Sequence, residues 1–139
     1  MRQAHHKLDV RTRGRALHAI SSQIAAWLDS VHAADGLLTV LVQHTSASLL
    51  VQENADPQVQ HDLESFFARL VKDGDPIFEH TAEGPDDMPA HVRAALTQTH
   101  LSIPVRDGRM ALGTWQGIYL WEHRTRAHAR HVALCFIGT

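Results

Sequence analysis

Leu37-Leu38-Thr39-Val40-Leu41-Val42-Gln43-His44-Thr45-Ser46-Ala47-Ser48-Leu49-Leu50-Val51 is the stretch that decides the fold. Two apolar runs, Leu37–Val42 and Leu49–Val51, flank a polar interruption. The first run is short and contains two valines, which reads as a strand buried on both faces. The second resumes as another strand. The polar groups between them, Gln43 to Ser48, fall where a sheet can present chemistry to solvent.

Working outward, Leu8, Val10 and Thr12 alternate with Lys7, Asp9, Arg11 and Arg13, a half-buried strand ending at Gly14. Ala16, Leu17, Ile20, Ile24, Trp27, Leu28 and Val31 recur at helical spacing and predict one helix from Ala16 to Val31. Asp56-Pro57 starts another helix, because Asp caps free N–H groups and Pro suits the first helical position. Its apolar positions are Val59, Leu63, Phe66, Phe67, Leu70 and Val71, and Lys72-Asp73-Gly74-Asp75-Pro76 ends it. Phe78 to Asp87 reads as a loop, and Asp87-Met88-Pro89 opens a helix carrying Val92, Ala95 and Leu96. Leu101–Val105, Met110–Leu112, Gly117–Trp121 and His131–Ile137 complete the strands, with a hairpin turn at Asp107-Gly108. Strands at both ends with helices between them predict an α+β fold, a single domain over residues 1–139 with packed mixed or antiparallel sheets and a few helices.

Composition excludes several classes. Lys plus Arg is 13 and Asp plus Glu is 15 in 139 residues, a formal charge of −2, which gives no electrostatic footprint for nucleic acid. One Cys forms no internal disulfide, and Val132-Ala133-Leu134-Cys135-Phe136-Ile137 places it as a packed core residue rather than a nucleophile. No apolar run approaches the ~18 residues of a membrane span. Met1-Arg2-Gln3-Ala4-His5-His6 lacks the pattern of a signal peptide, so a cytoplasmic location is expected. Histidine is abundant, with 12 residues, so charge depends on the one unperturbed side chain that titrates near neutrality.

Three polar segments offer chemistry. His80 to His91, with Glu83, Asp86 and Asp87, combines imidazole and carboxylate, the donors of divalent metal sites. No His-Glu-x-x-His pair is present. Asp86 or Asp87 equally suits capping of the helix opened by Pro89. His44-Thr45-Ser46-Ala47-Ser48 offers a base or ligand and hydroxyls for phosphate, or else a hydrogen-bonded structural His and edge-strand hydroxyls. Leu112-Gly113-Thr114-Trp115-Gln116-Gly117 leads to Glu122-His123-Arg124. Trp115 and Trp121 suit stacking or packing, and Arg124, Arg126 and Arg130 suit phosphate or a solvated cluster. No nucleophile elbow or Walker loop is present.

With these residues quoted, the chain resembles the YjbQ family over Lys7 to Gly138. The resemblance rests on Gln43–Leu49 (QHTSASL), Glu53–Pro57 (ENADP), His61-Asp62, Glu83–His91 (EGPDDMPAH) and Leu112–Arg124 (LGTWQGIYLWEHR). It implies a homotrimer with a weak thiamine-phosphate synthase activity. That reaction joins a pyrimidine methyl pyrophosphate to a thiazole phosphate with release of pyrophosphate. The family's motif acids and histidines fall on His44, Glu53, Asp56, Asp62, His80, Glu83, Asp86, Asp87 and His91.

The expected catalytic residues are therefore His44, Asp62, Glu83, Asp87 and His91. Thr45, Ser46, Ser48, Asn54, Thr114, Trp115, Gln116 and Arg124 are expected to bind a small phosphorylated metabolite. His44, His80 and His91 are expected to hold a divalent metal, Zn or Mg. A metal-dependent phosphoester hydrolase and a non-enzymatic trimer binding a small anion between subunits are the alternatives.

Overall fold

The computed structural model describes residues 1–139. Eight strands and three helices follow the order β1 (Arg2–Arg11), β2 (Ala16–Ala19), α1 (Ser21–Ser30), β3 (Gly36–Val42), β4 (Ala47–Glu53), α2 (Pro57–Leu70), α3 (Asp87–Leu96), β5 (His100–Arg106), β6 (Arg109–Met110), β7 (Gln116–Glu122) and β8 (Ala129–Gly138). They form a five-stranded sheet ordered β1-β8-β3-β5-β6 and a three-stranded sheet ordered β2-β7-β4. Every strand pair is antiparallel, so the fold is α+β with antiparallel rather than mixed sheets.

The inner face of the larger sheet supplies Leu8, Val10, Leu38, Val40, Val42, Leu101, Ile103, Val105, Val132, Leu134 and Phe136. These pack against Leu49, Ile118 and Leu120 of the smaller sheet and Ile24, Trp27 and Leu28 of α1. The opposite face of the smaller sheet carries Leu17, Tyr119 and Trp121, covered by Leu63 and Phe67 of α2. Burying the large apolar side chains contributes about 1.5–3 kcal/mol each before the entropy of ordering is set against it.

Several expectations change. Ala16–Val31 is not one helix, because Leu17 sits opposite Trp121 in the β2–β7 ladder. Helix α1 begins only at Ser21, whose hydroxyl accepts the Ile118 N–H at 2.7 Å. Strand β3 buries one face, not two: Leu38, Val40 and Val42 point inward, while Leu37 and Leu41 are 44% and 43% exposed. The β6 strand stops at Met110. Helix α3 buries Pro89, Ala90, Arg93 and Ala94 rather than Val92, Ala95 and Leu96. On α2, Phe66 and Leu70 are exposed. Cys135 is half-buried on the outer side of β8, since its neighbours Leu134 and Phe136 fill the inner side.

Two turn features behave as their residues dictate. Asp56 caps α2 by accepting the Gln58 N–H at 2.9 Å. Asp107 and Gly108 both adopt positive φ (49° and 76°), the requirement of the two-residue hairpin turn between β5 and β6. Gly36 lies opposite Gly138, and a Cβ there would stand 2.2 Å from the Ile137 carbonyl oxygen. The close approach of β3 and β8 therefore excludes any side chain at Gly36.

Candidate metal centre

The β3–β4 loop, the end of β7 and the start of α3 meet beside the smaller sheet. Ala47 pairs with Glu122, and the His123 N–H donates to the Ser46 carbonyl at 3.3 Å. The loop before α3 and its first turns deliver His80, Asp86, Asp87 and His91 to the same place.

Asp87, only 2% exposed, is the centre. Its Oδ2 lies 2.8 Å from His80 Nε2 and 3.2 Å from His91 Nε2. The three ligand atoms lie within 4.8 Å of one another. His91 sits one helical turn beyond Asp87, which puts both on one face of α3. Its other ring nitrogen, Nδ1, is 2.9 Å from the Thr45 carbonyl oxygen. A carbonyl only accepts, so Nδ1 carries the proton and Nε2 of the neutral ring presents a lone pair to a carboxylate oxygen. His91 Nε2 and Asp87 Oδ2, 3.2 Å apart, are therefore placed as two ligand atoms that one metal ion could engage together.

Arg124 organises the acids. Its Nε donates to Asp86 Oδ2 at 2.9 Å, its Nη1 is 3.0 Å from Asp87 Oδ1, and its Nη2 donates to the Glu83 carbonyl at 2.9 Å. Asp86 Oδ2 also accepts from Thr125 through N–H (2.9 Å) and Oγ1 (3.2 Å). Burial works to raise the Asp86 pKa, but the Arg124 and Thr125 hydrogen bonds and the Arg124 charge outweigh it and hold the carboxyl well below its ordinary range. The same bond to Asp86, against the cost of burial, raises the Arg124 pKa. Neither Asp86 nor Asp87 caps the helix through its side chain, since Asp86 is turned to Arg124 and Thr125. Arg124 is buried, and its fork is occupied by protein oxygens rather than free for phosphate.

The remaining expected residues divide. His44 does not join His80 and His91. Its Nε2 accepts the His131 N–H at 2.8 Å and its ring stacks on His131 at 5.7 Å. Burial, then the neighbouring charges of Arg130 and His131, lowers its pKa. Thr45 contributes its carbonyl to His91. Ser46 Oγ accepts from Arg130 Nη2 at 3.0 Å, and Ser48 Oγ is 2.8 Å from His123 Nε2, so both hydroxyls face protein groups. Asn54 reaches the Gln116 carbonyl at 3.4 Å, and the Gln116 side chain accepts the Gly113 N–H at 2.8 Å. Glu83 is exposed with an oxygen 3.9 Å from Arg124. Asp62 and Thr114 are exposed, and Trp115 is 63% exposed.

Sequence reasoning missed two buried polar networks. Glu122, fully buried, receives Arg130 through Nε at 2.8 Å and through Nη2, together with Thr12 Oγ1 at 2.8 Å and the Arg124 N–H at 3.1 Å. Burial works to raise its pKa, but these bonds lower it overall. Arg130 is thus an internal ion-pair partner rather than part of a solvated cluster. His123 and Arg93 are also fully buried. Burial, and then the charges of Arg93, Arg15 and Arg130, pushes His123 down to about 3, so it stays neutral. Arg93 meets Glu64 Oε1 at 2.5 Å, and Trp121 Nε1 donates to Glu64 Oε2 at 2.8 Å. No sequence pattern marks these contacts: Thr12, Glu64 and Trp121 meet partners far along the chain, and Arg130 reaches Glu122 only through the turn from β7 into β8.

Comparison with known proteins decides the family. A model of the family described as UPF0047 protein YjbQ-like matches residues 6–139. The chain belongs to the YjbQ family. A UPF0047 protein of Synechocystis sp. is 52% identical over 137 residues, covering 99% of this chain and 93% of its own length. The YjbQ protein of Escherichia coli O157:H7 is 44% identical over 132 residues, covering 94% and 95%. Among solved structures, a conserved hypothetical protein from Thermus thermophilus superposes with a TM-score of 0.86 at 32% identity, covering 95% of this chain and 99% of that one. A hypothetical protein from Aeropyrum pernix superposes with a TM-score of 0.85 at 30% identity over the whole of both chains. No helix of this YjbQ-family chain is long and apolar enough to cross a membrane.

Proposed function

We propose that this YjbQ-family chain is a metal-assisted transferase of the thiamine-phosphate synthase type, with His80, Asp87 and His91 as metal ligands. The observation that carries the metal ligation is the pairing of His91 Nε2 with Asp87 Oδ2 at 3.2 Å while Nδ1 donates to Thr45, and the synthase chemistry is what the resemblance to the family implies. Two imidazole nitrogens and one carboxylate oxygen suit zinc better than magnesium, and three protein ligands are the usual number at a catalytic zinc. Ligand atoms about a tetrahedral zinc stand roughly 3.3 Å apart at bond lengths of about 2.0–2.1 Å. The 2.8 and 3.2 Å separations fit this with a small adjustment.

The surrounding groups support the ligands. Thr45 fixes the His91 tautomer, and Arg124 occupies Asp87 Oδ1 and so leaves Oδ2 to face the histidines. A bound divalent ion would supply charge neutralisation for a departing pyrophosphate. In the reaction the C–O bond to pyrophosphate breaks, the pyrophosphate keeps the electron pair, and the thiazole nitrogen forms the new C–N bond at the methyl carbon. Such chemistry asks the protein for positioning and charge stabilisation and for no nucleophilic side chain. The Ser48–His123 pair supports this division, since both residues are fully buried and closed to substrate. Trp115, though exposed, precedes β7 and so stands at the opposite end of that strand from Arg124, away from this centre.

Three copies are proposed to meet through the outer face of the larger sheet. Leu37 lies between Ile137 and Pro104 in that sheet, and Leu41 between Ala133 and His100. Leu37, Leu41 and Ile137 are each more than two-fifths exposed in the isolated chain. The protein is proposed to work in the cytoplasm, where its phosphorylated substrates would be.

Pyrophosphate release from the two precursors, with and without EDTA, in wild type and His91→Ala tests the reading. Loss of turnover both on chelation and in the variant is expected. Equal activity of the variant and the wild type removes His91 from the mechanism. Turnover of simple phosphate esters with Zn²⁺ in the absence of the precursors replaces the transferase reading by a hydrolase.

A further inference from the structure

A cavity of about 330 Å³ opens directly against the His80 side of the proposed metal centre. That volume lies in the range of small-molecule sites. Its walls come from the turn after α2 and the first turn of α3: Pro76, Phe78, Pro85, Met88 and Pro89, with His80 at one end. The prolines bracket the segment at both ends of the loop, fixing φ at three wall positions and giving a wall with little conformational freedom. Phe78 and Met88 are half-buried, so part of each remains available to a bound group.

The charge of the lining is specific. Asp75 is its one carboxylate, and no Lys or Arg lines it. Asp75 Oδ1 accepts the Ile77 N–H at 2.9 Å, which fixes the carboxylate in place. Arg124, the cation nearest the metal ligands, is buried and turned to Asp86, Asp87 and Glu83. Apart from His80, whose Nε2 is turned to Asp87, nothing in the cavity compensates a phosphate or carboxylate, and Asp75 repels one. A flat apolar group that is neutral or cationic meets apolar walls and an acceptor.

We propose that the Phe78–Met88 cavity is the subsite for the uncharged or cationic ring of the substrate, whose anionic end lies at His80, Asp87 and His91. This rests on the reading of those three residues as the reacting centre. It divides the substrate by charge: the ring enters between Phe78 and Met88, and the phosphate stays on the histidine side. His80 belongs to both, since its Nε2 faces Asp87 while the residue also lines the cavity.

The test uses benzyl alcohol, benzylamine and benzoate as probes of one ring with neutral, positive and negative substituents. Each is titrated at millimolar concentration into the full chain in EDTA, and amide shifts are followed by ¹⁵N–¹H correlation spectra. Benzyl alcohol and benzylamine are expected to move the Gly74, Thr81 and Gly84 amides, with benzoate about tenfold weaker because it faces Asp75. Thr81→Trp, at an exposed position on the rim, is expected to block both binders, and Met88→Trp to do so from the wall. Benzoate binding as well as benzylamine, or no shifts localised to these amides, overturns the proposal. Because the titrations contain no metal, they are independent of the metal reading, which zinc titration of the same protein without EDTA tests separately.

Discussion

Replacing Arg124 by Met removes one buried cation from two buried carboxylates while keeping most of the side-chain volume. Asp86 would lose its Nε donor at 2.9 Å and keep only Thr125, and Asp87, 2% exposed, would lose the cation 3.0 Å from Oδ1. Breaking a buried pair by removing one partner costs about 3–5 kcal/mol, because the remaining charge is left uncompensated. For a domain of this size that corresponds to a fall in Tm of roughly 10–15 °C. The loss has a pH signature. The folded Asp86 pKa lies below its unfolded value, so its stabilisation is full above about pH 4 and disappears as pH falls through the folded value. The gap between wild type and Arg124→Met should therefore be widest at about pH 7 and shrink steadily below about pH 4. Urea denaturation at several pH values measures it, and the double variant Arg124→Met, Asp86→Asn should recover part of the loss through their coupling. A gap under about 1 kcal/mol at neutral pH, or one that grows on acidification, would refute the assignment of Arg124 as the organiser of the acids.

Other outcomes follow from the same geometry. His123→Phe should flatten the acid limb of the stability curve. The wild-type His123 stays neutral down to about 3 when folded but protonates near 6.5 when unfolded, so its contribution is full above pH 6.5 and is lost as pH falls; urea midpoints across that window check this. Gly36→Ala should lower stability by at least about 2 kcal/mol, because the new Cβ meets the Ile137 carbonyl and the Gly138 backbone, measured by thermal melting. Leu41→Glu should convert the proposed trimer to a monomer, read as mass by light scattering on a sizing column.

Much of the fold is legible in the sequence because its signals are local. Asp56-Pro57 starts α2 and Asp107-Gly108 turns the β5–β6 hairpin, each through conformational preferences of the residues themselves. Ala16–Val31 reads as a single helix because Leu17 and Ile20 fit a helical period as well as they fit a strand followed by a helix start. Pairing of Leu17 with Trp121, more than a hundred residues away, decides between the two. The apparent two-sided burial of β3 fails for a related reason: Leu37 and Leu41 are apolar but face outward.

The site divides in the same way. Asp87 and His91 are one turn apart on a helix, and His80 falls in the loop that precedes it, so their convergence is readable from one short segment. Chemistry groups His44 with them, but its strand end carries it to His131 instead. Arg124 and Arg130 read as phosphate binders or surface charges. Their partners Asp86 and Glu122 become visible only once β7 is folded against the β3–β4 loop and α3.

His80, Asp87 and His91 are proposed to hold a divalent metal ion, and crystals of the full chain grown with Zn²⁺ put that to the test. Diffraction is measured on both sides of the zinc absorption edge. An anomalous peak among His80 Nε2, Asp87 Oδ2 and His91 Nε2, absent in His91→Ala, is the result expected. A map with no anomalous peak there, or with zinc at His44 and His131 instead, contradicts it.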